Sequence, residues 1–492
     1  MTQREYLKTI DEVIENGKYS DDWASLSGRK TPDWYYNGKF GIFIHWGIYS
    51  VPAYGSEWYS RNMYVKGSEE YEHHLKTYGP HKEFGYKDFI PMFKGERFDG
   101  AKWIELFKKA GAKFVMPVAE HHDGFAMYDT EFNRWNAKNM GPKQDVIGVL
   151  KAECEKSGLV FCTSSHRAEH YFFMNGGRTF DSDVNDPEYQ DFYGPAFYDE
   201  KLDGSAMHKA CDTVDEIGPD EAYLKDWLCR TCELVDRYRP KTVYFDWWIH
   251  NKAFKPYLKK FAAYYYNRAE EWQEEVTIDY KHNAYPPTTA TYDVERGALD
   301  GISPTPWQTD TAIGNTSWGY TVDNDFKSSY EIITTLIDVV SKNGMFLLNV
   351  GPKPDGTITD EETAVLLKTG EWLGVNGEGI YETSPWRAYR EGEHQAGGGM
   401  FSEGRVDYDE KDFRFTYKKG AVYAFQMKAP AGTAVTIKSF HNDRCGCCAR
   451  SVSMLGNGNA VKSFAIDEDG LHIVLDKKIS SEFPVCYKIE LE

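Results

Sequence analysis

The sequence predicts an α/β protein that contains a (β/α)8-type barrel and a C-terminal antiparallel β-sandwich. In residues 1–385, short apolar runs alternate with longer amphipathic runs. Six predicted strands and six predicted helices take turns along this part of the chain, which favours a closed barrel of parallel strands. In residues 386–492, short alternating runs are separated by clusters of Gly, Asn and Asp, which is typical of a small sandwich. We therefore predict two domains, a barrel over 1–385 and a sandwich over 386–492.

The barrel prediction rests on strands and helices that take turns along the chain. The predicted strands are buried apolar segments at residues 40–44, 113–118, 159–163, 242–245, 276–279 and 345–350. The predicted helices carry apolar residues at helical spacing and lie at residues 99–111, 145–157, 222–237, 254–271, 330–340 and 361–373. A doubly wound open sheet is the alternative, but no Gly-rich phosphate-binding turn follows the first strand.

The sandwich prediction rests on five short runs with the period of two that a half-buried strand requires. They lie at residues 413–417, 421–425, 434–437, 471–475 and 485–489. The preceding stretch, 391–404, is rich in Gly and is predicted to be a loop rather than part of the core.

Charge and hydropathy exclude several classes of partner. The chain has 492 residues with 57 basic and 76 acidic side chains, which gives a net charge of −19 at pH 7. Nucleic acids and anionic membrane surfaces repel a polyanion, so neither is an expected partner. The first residues show no signal peptide, and no run of about 18 apolar residues predicts a membrane span. We therefore expect a cytoplasmic protein, and the sequence leaves its oligomeric state open between a monomer and a homo-oligomer.

The nine cysteines favour free thiols in a reducing compartment. Cys229 and Cys232 lie within a helical pattern, whereas Cys445, Cys447 and Cys448 lie in a turn-like stretch. A structural zinc site needs four ligands, usually as two spaced pairs. Nothing pairs the two clusters, so we expect structural thiols, no metal site and no cofactor.

Polar side chains follow nearly every predicted barrel strand, at the carboxyl end where barrel enzymes place their chemistry. Any one of them could simply cap the next helix. Five strand ends in register favour one shared site instead. The residues concerned are His45, His121, His122, His166, Asp246, Asp279, Lys281 and His282.

These side chains suit the hydrolysis of a polyhydroxylated substrate. Glycoside cleavage needs two carboxyl groups, one ionised and one protonated with a raised pKa. Asp246 follows an apolar strand between aromatic residues, so it is a good anchored carboxylate. The aromatic content of 15% fits a sugar-stacking cleft, and equally a large aromatic core. A metal-dependent hydrolase with His45, His121, His122 and Asp123 as ligands is the alternative, although adjacent histidines on one extended strand point to opposite faces.

Seven segments of the chain form a distinctive ordered series. They are residues 34–47, 56–59, 119–125, 243–246, the Ser-Trp-Gly-Tyr run at 317–320, 343–352 and 374–381. Together they closely resemble the α-L-fucosidases of glycoside hydrolase family 29. The resemblance extends over about residues 30–390, and the last hundred residues share only the β character of that family.

The resemblance implies a retaining exo-hydrolase that releases terminal α-L-fucose from a fucosylated oligosaccharide or glycoconjugate through a covalent intermediate. Asp246 matches the family's nucleophile. Glu295, one strand–helix step later, stands where some members place the acid/base, and Glu57 is the alternative acid/base. The implied sugar-binding residues are His45, Glu57, Trp58, His121, His122, Tyr244, Lys281 and Trp318.

Two positions depart from the family pattern. Where many members carry Asn-Asp-Arg-Trp-Gly, this chain has residues 278–282, so the contact made by the missing Arg falls to Lys281 or His282 or is lost. Where the family often has Glu, this chain has Gln308. Either change could alter the linkage preference or the activity, and the sequence does not identify the linkage.

Two further questions stay open at the level of sequence. A non-catalytic fucose-binding protein on the same fold is a second possible function, although the intact pair of Asp246 and Glu295 argues against it. The acidic stretch 176–218 could be a lid, a subunit contact or a surface decoration.

Overall fold

The computed structural model describes residues 1–201, 217–441 and 449–492. Its centre is a closed barrel of parallel strands, in which β1 pairs with β2 on one side and with the last strand, β9, on the other. The barrel strands are β1 Phe40–Ile44, β2 Phe114–Glu120, β3 Val160–Phe161, β4 Thr163–Ser165, β5 Thr242–Phe245, β6 Thr277–Tyr280, β7 Thr291–Glu295, β8 Trp307–Ala312 and β9 Gly344–Val350. The segments β3 and β4 form one interrupted strand, so the barrel has eight strand positions and the predicted fold class is confirmed.

Helices surround this barrel and begin at the capping residues that the sequence provides. Asp99, Asp145 and Asp220 each accept a hydrogen bond from a backbone N–H in the first turn of the helix that follows. Such caps satisfy N–H groups that have no partner inside the helix. The α-helices described are Gln3–Asn16, Trp23–Leu26, Asp33–Gly38, Tyr59–Asn62, Glu69–Thr77, Gly100–Lys109, Val146–Ser157, His170–Phe173, Gln190–Tyr193, Glu221–Tyr238, Lys255–Trp272, Ser329–Ser341 and Asp360–Asn376.

The sequence did not predict the strands β7 and β8. Both are short and buried, yet neither is apolar, because Asp293, Glu295, Gln308 and Asp310 belong to them. A strand that lines a polar barrel interior lacks the apolar run by which buried strands are recognised. These two strands complete the barrel between β6 and β9.

The C-terminal part consists of two antiparallel sheets that enclose their own apolar core. One sheet has the order β10-β11-β12-β17-β14 and the other β13-β16-β15. The strands are β10 Ser384–Glu391, β11 Phe413–Lys418, β12 Ala421–Gln426, β13 Ala434–Ile437, β14 Ala449–Met454, β15 Val461–Ile466, β16 Leu471–Leu475 and β17 Val485–Leu491. The sequence predicted five of them and missed β10, β14 and β15. The division between residues 385 and 386 stays a prediction.

The C-terminal part also contacts the barrel. The buried Arg414 guanidinium of β11 pairs with Asp338 in the helix Ser329–Ser341. The Trp372 indole N–H donates to the carbonyl of Pro484 at 2.8 Å. Between β10 and β11, residues 392–412 run back over the barrel, and the Phe401 N–H donates to the Glu295 carbonyl at 2.8 Å.

Of the two cysteine clusters seen in the sequence, only the first lies in the part of the chain that the structure describes. Cys229 and Cys232 are buried free thiols in the helix Glu221–Tyr238, as structural thiols would be. Cys445, Cys447 and Cys448 lie outside the described residues, as does part of the acidic stretch 176–218. Within the described part of the chain, none of the helices combines the length and apolar character that a membrane span requires.

Candidate active site

A cavity of about 160 Å³ opens at the carboxyl ends of the barrel strands. A protein cavity of about 150 Å³ holds a benzene-sized ring, so this one has room for a single six-membered ring. All ten catalytic and sugar-binding residues that the family resemblance implies line it: His45, Glu57, Trp58, His121, His122, Tyr244, Asp246, Lys281, Glu295 and Trp318. Of the other strand-end candidates, His166 lines the cavity, whereas Asp279 and His282 do not. The structure adds four lining residues: Phe43, Trp247, Asp310 and Phe401.

One wall of the cavity consists of histidines from the first three strand positions. The His45 ring centroid lies 5.5 Å from that of His121 and 5.2 Å from that of His166. Burial lowers the pKa of all three imidazoles, that of His45 and His121 well below the usual value. These rings are therefore neutral near pH 7, and each offers one N–H donor and one nitrogen acceptor.

Neighbouring strands hold this wall in place. His45 Nδ1 lies 2.6 Å from the Asn349 side-chain oxygen, and the Asn349 amide donates to the Trp318 carbonyl at 2.7 Å. The Glu57 carboxylate accepts hydrogen bonds of 2.9 Å from the Ser317 hydroxyl and the Trp318 N–H. The Ser-Trp-Gly-Tyr run is thus fixed beside the first strand, with the Trp318 indole 5.3 Å from the His45 ring.

The opposite wall carries charged groups from β5 to β8, with Asp246 at its centre. One Asp246 oxygen lies 3.0 Å from Lys281 Nζ, and the other lies 3.3 Å from His122 Nε2 and 3.2 Å from His166 Nδ1. Burial alone would raise the pKa of Asp246, but the Lys281 ammonium and the two imidazoles hold it well below its usual value. Asp246 is therefore a buried and ionised carboxylate.

Glu295, at the end of β7, has a raised pKa, in contrast to the lowered pKa of Asp246. Burial raises its pKa to about 7, and the nearby carboxylates Asp310 and Asp246 contribute to the rise while Lys281 opposes it. Its carboxyl accepts hydrogen bonds from the Trp247 indole and from Lys281. The site therefore holds two carboxyl groups that differ in protonation near neutral pH, which is the arrangement of an acid and a nucleophile.

Lys281 connects these two carboxyl groups. Its ammonium contacts both Asp246 and Glu295, and Asp310 and Asp293 lie 3.9 and 4.0 Å away. Burial would lower the pKa of Lys281, but the surrounding carboxylates raise it well above its usual value. Lys281 thus remains charged although it is only 2% exposed.

A buried polar network supports this wall from below. The Tyr244 hydroxyl donates to Asp310 at 2.9 Å, and the Gln308 amide donates to Asp293 at 2.8 Å. Gln308, which replaces the family's frequent Glu, therefore supplies a hydrogen-bond donor where another carboxylate would add charge.

His122 joins the two walls. Burial would lower its pKa, but Glu169, 3.2 Å from Nδ1, and Asp246 raise it to about 9. Its ring is therefore charged at neutral pH, unlike those of His45, His121 and His166. The family resemblance implies that both His121 and His122 bind the sugar, whereas adjacent histidines on one extended strand would point to opposite faces. The structure brings both into the cavity because β2 ends at Glu120 and the two histidines lie in the turn beyond it.

The geometry bears on three other sequence expectations. Of the two candidates for the contact of the missing Arg, Lys281 lines the cavity, whereas His282 does not line it and packs against the Trp247 ring. Glu295 lies two strands beyond Asp246, on β7 after β6, rather than one strand–helix step later. Glu57, the alternative acid/base, also lines the cavity, and its carboxylate accepts hydrogen bonds from Ser317 and Trp318.

His166 was one of the strand-end candidates, because it follows a predicted strand just as His45 does, but it was not among the residues that the family resemblance implies. Other lining residues were missed by the sequence altogether. Asp310 lies on the unpredicted strand β8, and Phe401 lies in the stretch that was predicted to be a loop away from the core. Only the folded chain brings these two residues to the cavity.

Three groups of side chains in the described residues have donor atoms close enough to share a metal ion, within 4.8 Å of one another. They are His45 with His121 and His166, His122 with His166 and Asp246, and His394 with Asp409 and Asp412. The first two groups coincide with the cavity, so a metal ion there would take the place of a ring-sized ligand.

The barrel and its pair of opposed carboxyl groups define the class of barrel glycoside hydrolases. The family model for alpha-L-fucosidase matches residues 7–378. This chain therefore belongs to the α-L-fucosidase family, and the resemblance seen in the sequence is confirmed.

Individual relatives agree with this assignment along nearly the whole chain. Tissue alpha-L-fucosidase of Rattus norvegicus is 29% identical, over 95% of this chain and 90% of the relative. Tissue alpha-L-fucosidase of Homo sapiens is 28% identical, again over 95% of this chain and 90% of the relative. Among solved structures, Thermotoga maritima alpha-fucosidase in complex with fucose superposes with a TM-score of 0.74 and is 30% identical in sequence. The match covers 96% of this chain and 100% of the Thermotoga maritima chain.

Proposed function

We propose that this protein is a retaining α-L-fucosidase that hydrolyses terminal α-L-fucosyl linkages of an oligosaccharide or glycoconjugate. The observation that carries the proposal is the pair formed by Asp246 and Glu295. Both carboxyl groups contact the same ammonium of Lys281, yet the pKa of Asp246 is lowered and that of Glu295 is raised. One cavity thus holds an ionised nucleophile beside a proton donor.

The reaction proceeds in two displacements. In the first, the Asp246 carboxylate bonds to the anomeric carbon while Glu295 gives its proton to the departing glycosidic oxygen. In the second, the Glu295 carboxylate takes a proton from water, the water oxygen bonds to the anomeric carbon, and the bond to Asp246 breaks. Both carboxyl groups return to their starting protonation states.

The distance between the two carboxyl groups supports retention rather than inversion. Each group has an oxygen in contact with the single Lys281 ammonium nitrogen, which keeps the two groups close together. Retaining glycosidases hold the groups about 5–5.5 Å apart, whereas inverting ones need about 6.5–9.5 Å to admit a water molecule.

The histidine wall supports a sugar as the ligand. Neutral imidazoles both donate and accept hydrogen bonds, as sugar hydroxyls do. His45 in particular, with Nδ1 committed to Asn349, keeps Nε2 for a hydroxyl. The Thermotoga maritima relative has been crystallised with fucose, which supports fucose as that sugar here.

The stereochemistry of the first product tests the mechanism. We expect proton NMR of a freshly started hydrolysis of an aryl α-L-fucoside to show α-L-fucose before mutarotation. A 2-deoxy-2-fluoro-fucosyl fluoride should accumulate as a covalent adduct, and peptide mass spectrometry should find it on Asp246. Initial β-fucose, or an adduct on another residue, would contradict the proposal.

The same preparation distinguishes the two alternative functions. A non-catalytic fucose-binding protein would bind fucose in calorimetry and release nothing from any aryl glycoside. A metal-dependent hydrolase would lose activity in EDTA and regain it with added zinc, because the donor groups of the cavity would then hold the ion. Full activity after exhaustive chelation would exclude the metal alternative.

A further inference from the structure

The rim of the cavity beside Glu295 carries an exposed aromatic side chain that the proposed chemistry does not use. Phe401 is 59% exposed, although large apolar side chains are usually buried. Its backbone has a φ of 55°, in the left-handed region that bulky residues rarely adopt. Such strain persists only where the surrounding structure enforces it, and it concentrates at functional sites.

The surroundings of Phe401 enforce its position relative to Glu295. Its N–H donates to the Glu295 carbonyl at 2.8 Å, and two residues later the Glu403 N–H donates to the Arg296 carbonyl at 2.8 Å. The phenyl ring lies nearly parallel to the Trp247 indole, with centroids 5.7 Å apart and planes at 12°. The Trp247 N–H in turn donates to the Glu295 carboxyl. Phe401 is therefore held at the outer side of the proposed proton donor.

A wider cleft of about 540 Å³ lies outside the cavity and shares Phe401 with it. The two spaces also share Glu57, Trp58, Glu295 and Trp318. The other residues of the cleft are polar, namely Ser56, Asn62, Arg296, Asn315, Thr316 and Glu403. A leaving group attached to a sugar in the cavity would extend past Glu295 into this cleft.

The other aromatic rings of the cleft are already in contact with neighbours. The Arg296 guanidinium lies over the Trp318 ring, 4.6 Å from its centroid, and is held there by Glu403 at 2.7 Å. The Trp58 ring packs edge-on against Phe173, with centroids 5.3 Å apart. Phe401 is thus the most open aromatic surface that the described residues present to this cleft.

We propose that Phe401, backed by Trp247, determines specificity by stacking against the apolar face of a pyranose ring in the leaving group. The inference rests on the proposed function and adds the residue that contacts the sugar ring of the leaving group. Aromatic faces and the C–H face of a pyranose bury apolar area against each other. Arg296, Asn315 and Glu403 line the same cleft and are available to the ring hydroxyls.

A comparison of two substrates tests the role of Phe401. α-L-Fucosyl fluoride has no ring in its leaving group, whereas an α-L-fucosyl-N-acetylglucosamine disaccharide has one. We expect Phe401→Ala to lower kcat/KM for the disaccharide about two- to tenfold, the range of one aromatic contact, and to leave the fluoride within twofold of wild type. Phe401→Tyr should keep the disaccharide rate.

Matched controls separate this role from a structural one. Ile302→Ala removes another exposed apolar side chain away from the cleft and should change neither rate. An unchanged Tm for Phe401→Ala will show that the fold is intact. An equal loss on both substrates would show that Phe401 acts on Glu295 or the fold, and no loss on either would show that it makes no contact. A wild-type protein that fails to hydrolyse the fluoride would overturn the proposed function itself.

Discussion

The two walls of the cavity respond to burial in opposite ways. On the wall from β1 to β4, burial lowers the pKa of His45 and His121, which form no ion pair with another described residue, and their rings are neutral. On the wall from β5 to β8, Lys281 and Asp246 are just as buried and yet remain charged, because each lies within 3.0 Å of the other. Isolated groups lose their charge on burial, whereas paired charges retain it.

The difference assigns a separate task to each wall. Neutral imidazoles can hold hydroxyl groups without altering the charge of the site, so this wall suits recognition. The opposite wall depends on charges that stabilise one another, so a change in one of them alters the pKa of the rest. We therefore expect substitutions on the charged wall to change rates and pH profiles, and substitutions on the histidine wall to change mainly affinity.

The largest effect should come from the proposed nucleophile. Asp246→Asn keeps the shape of the side chain and removes its nucleophilic charge, so we expect kcat/KM to fall by about 10⁴-fold or more, as for other covalent nucleophiles. The rate on an aryl α-L-fucoside measures this, with Tm as the test of folding. Asp279→Asn, also buried at the barrel strands but not in the cavity, is the matched control. Near-normal activity of Asp246→Asn would remove Asp246 from the mechanism.

The proposed acid/base should show a smaller and substrate-dependent effect. We expect Glu295→Ala to lower the rate on natural glycans by about 10²–10⁴-fold. The rate on fucosyl fluoride should fall far less, because its leaving group departs without a proton. The acid must be protonated and its pKa is raised to about 7, so wild-type activity should fall as pH rises through about 7. This alkaline limb should vanish in Glu295→Ala on fucosyl fluoride. Equal losses on all substrates, with the limb retained, would argue for Glu57 instead.

The cation between the two carboxyl groups should shift the whole pH profile. Lys281 lowers the pKa of both Asp246 and Glu295, so Lys281→Met should raise both pKa values. The acid limb and the alkaline limb of the pH–rate profile should then move to higher pH, by about 1–3 units for the loss of an adjacent opposite charge. The pH dependence of kcat/KM measures this shift. Lys281→Arg keeps the charge and should leave the limbs near their wild-type positions. Limbs that stay in place in Lys281→Met would contradict the coupling.

The smallest effect should come from the histidine wall. His45→Gln removes one hydrogen-bonding ring whose pKa lies well below neutrality, so we expect KM to rise about three- to tenfold, as for the loss of one hydrogen bond. The limbs of the pH profile should not move, because a neutral ring contributes no titration near the optimum. A shifted limb in this variant would show that the two walls do not act separately.

The position of the polar residues relative to each strand decided what the sequence could predict. The strands β1, β2 and β5 combine an apolar run with a polar residue just beyond it, so both the strand and its site residue were readable. The strands β7 and β8 place polar side chains inside the strand itself, and Asp310 went unrecognised with β8. Glu295 was found only through the family resemblance, and its distance from Asp246 along the barrel was misjudged.

The sequence by itself determined the barrel, the C-terminal sheets and a set of residues that the fold gathers into one cavity, because hydrophobic period and strand-end chemistry are local properties of the chain. Tertiary structure decided the rest. Lys281 becomes the link between Asp246 and Glu295, and Phe401 reaches the rim, through contacts between segments far apart in the chain. The charge states also follow from these contacts, since a pKa depends on burial and on neighbouring charges, which only the folded chain brings together.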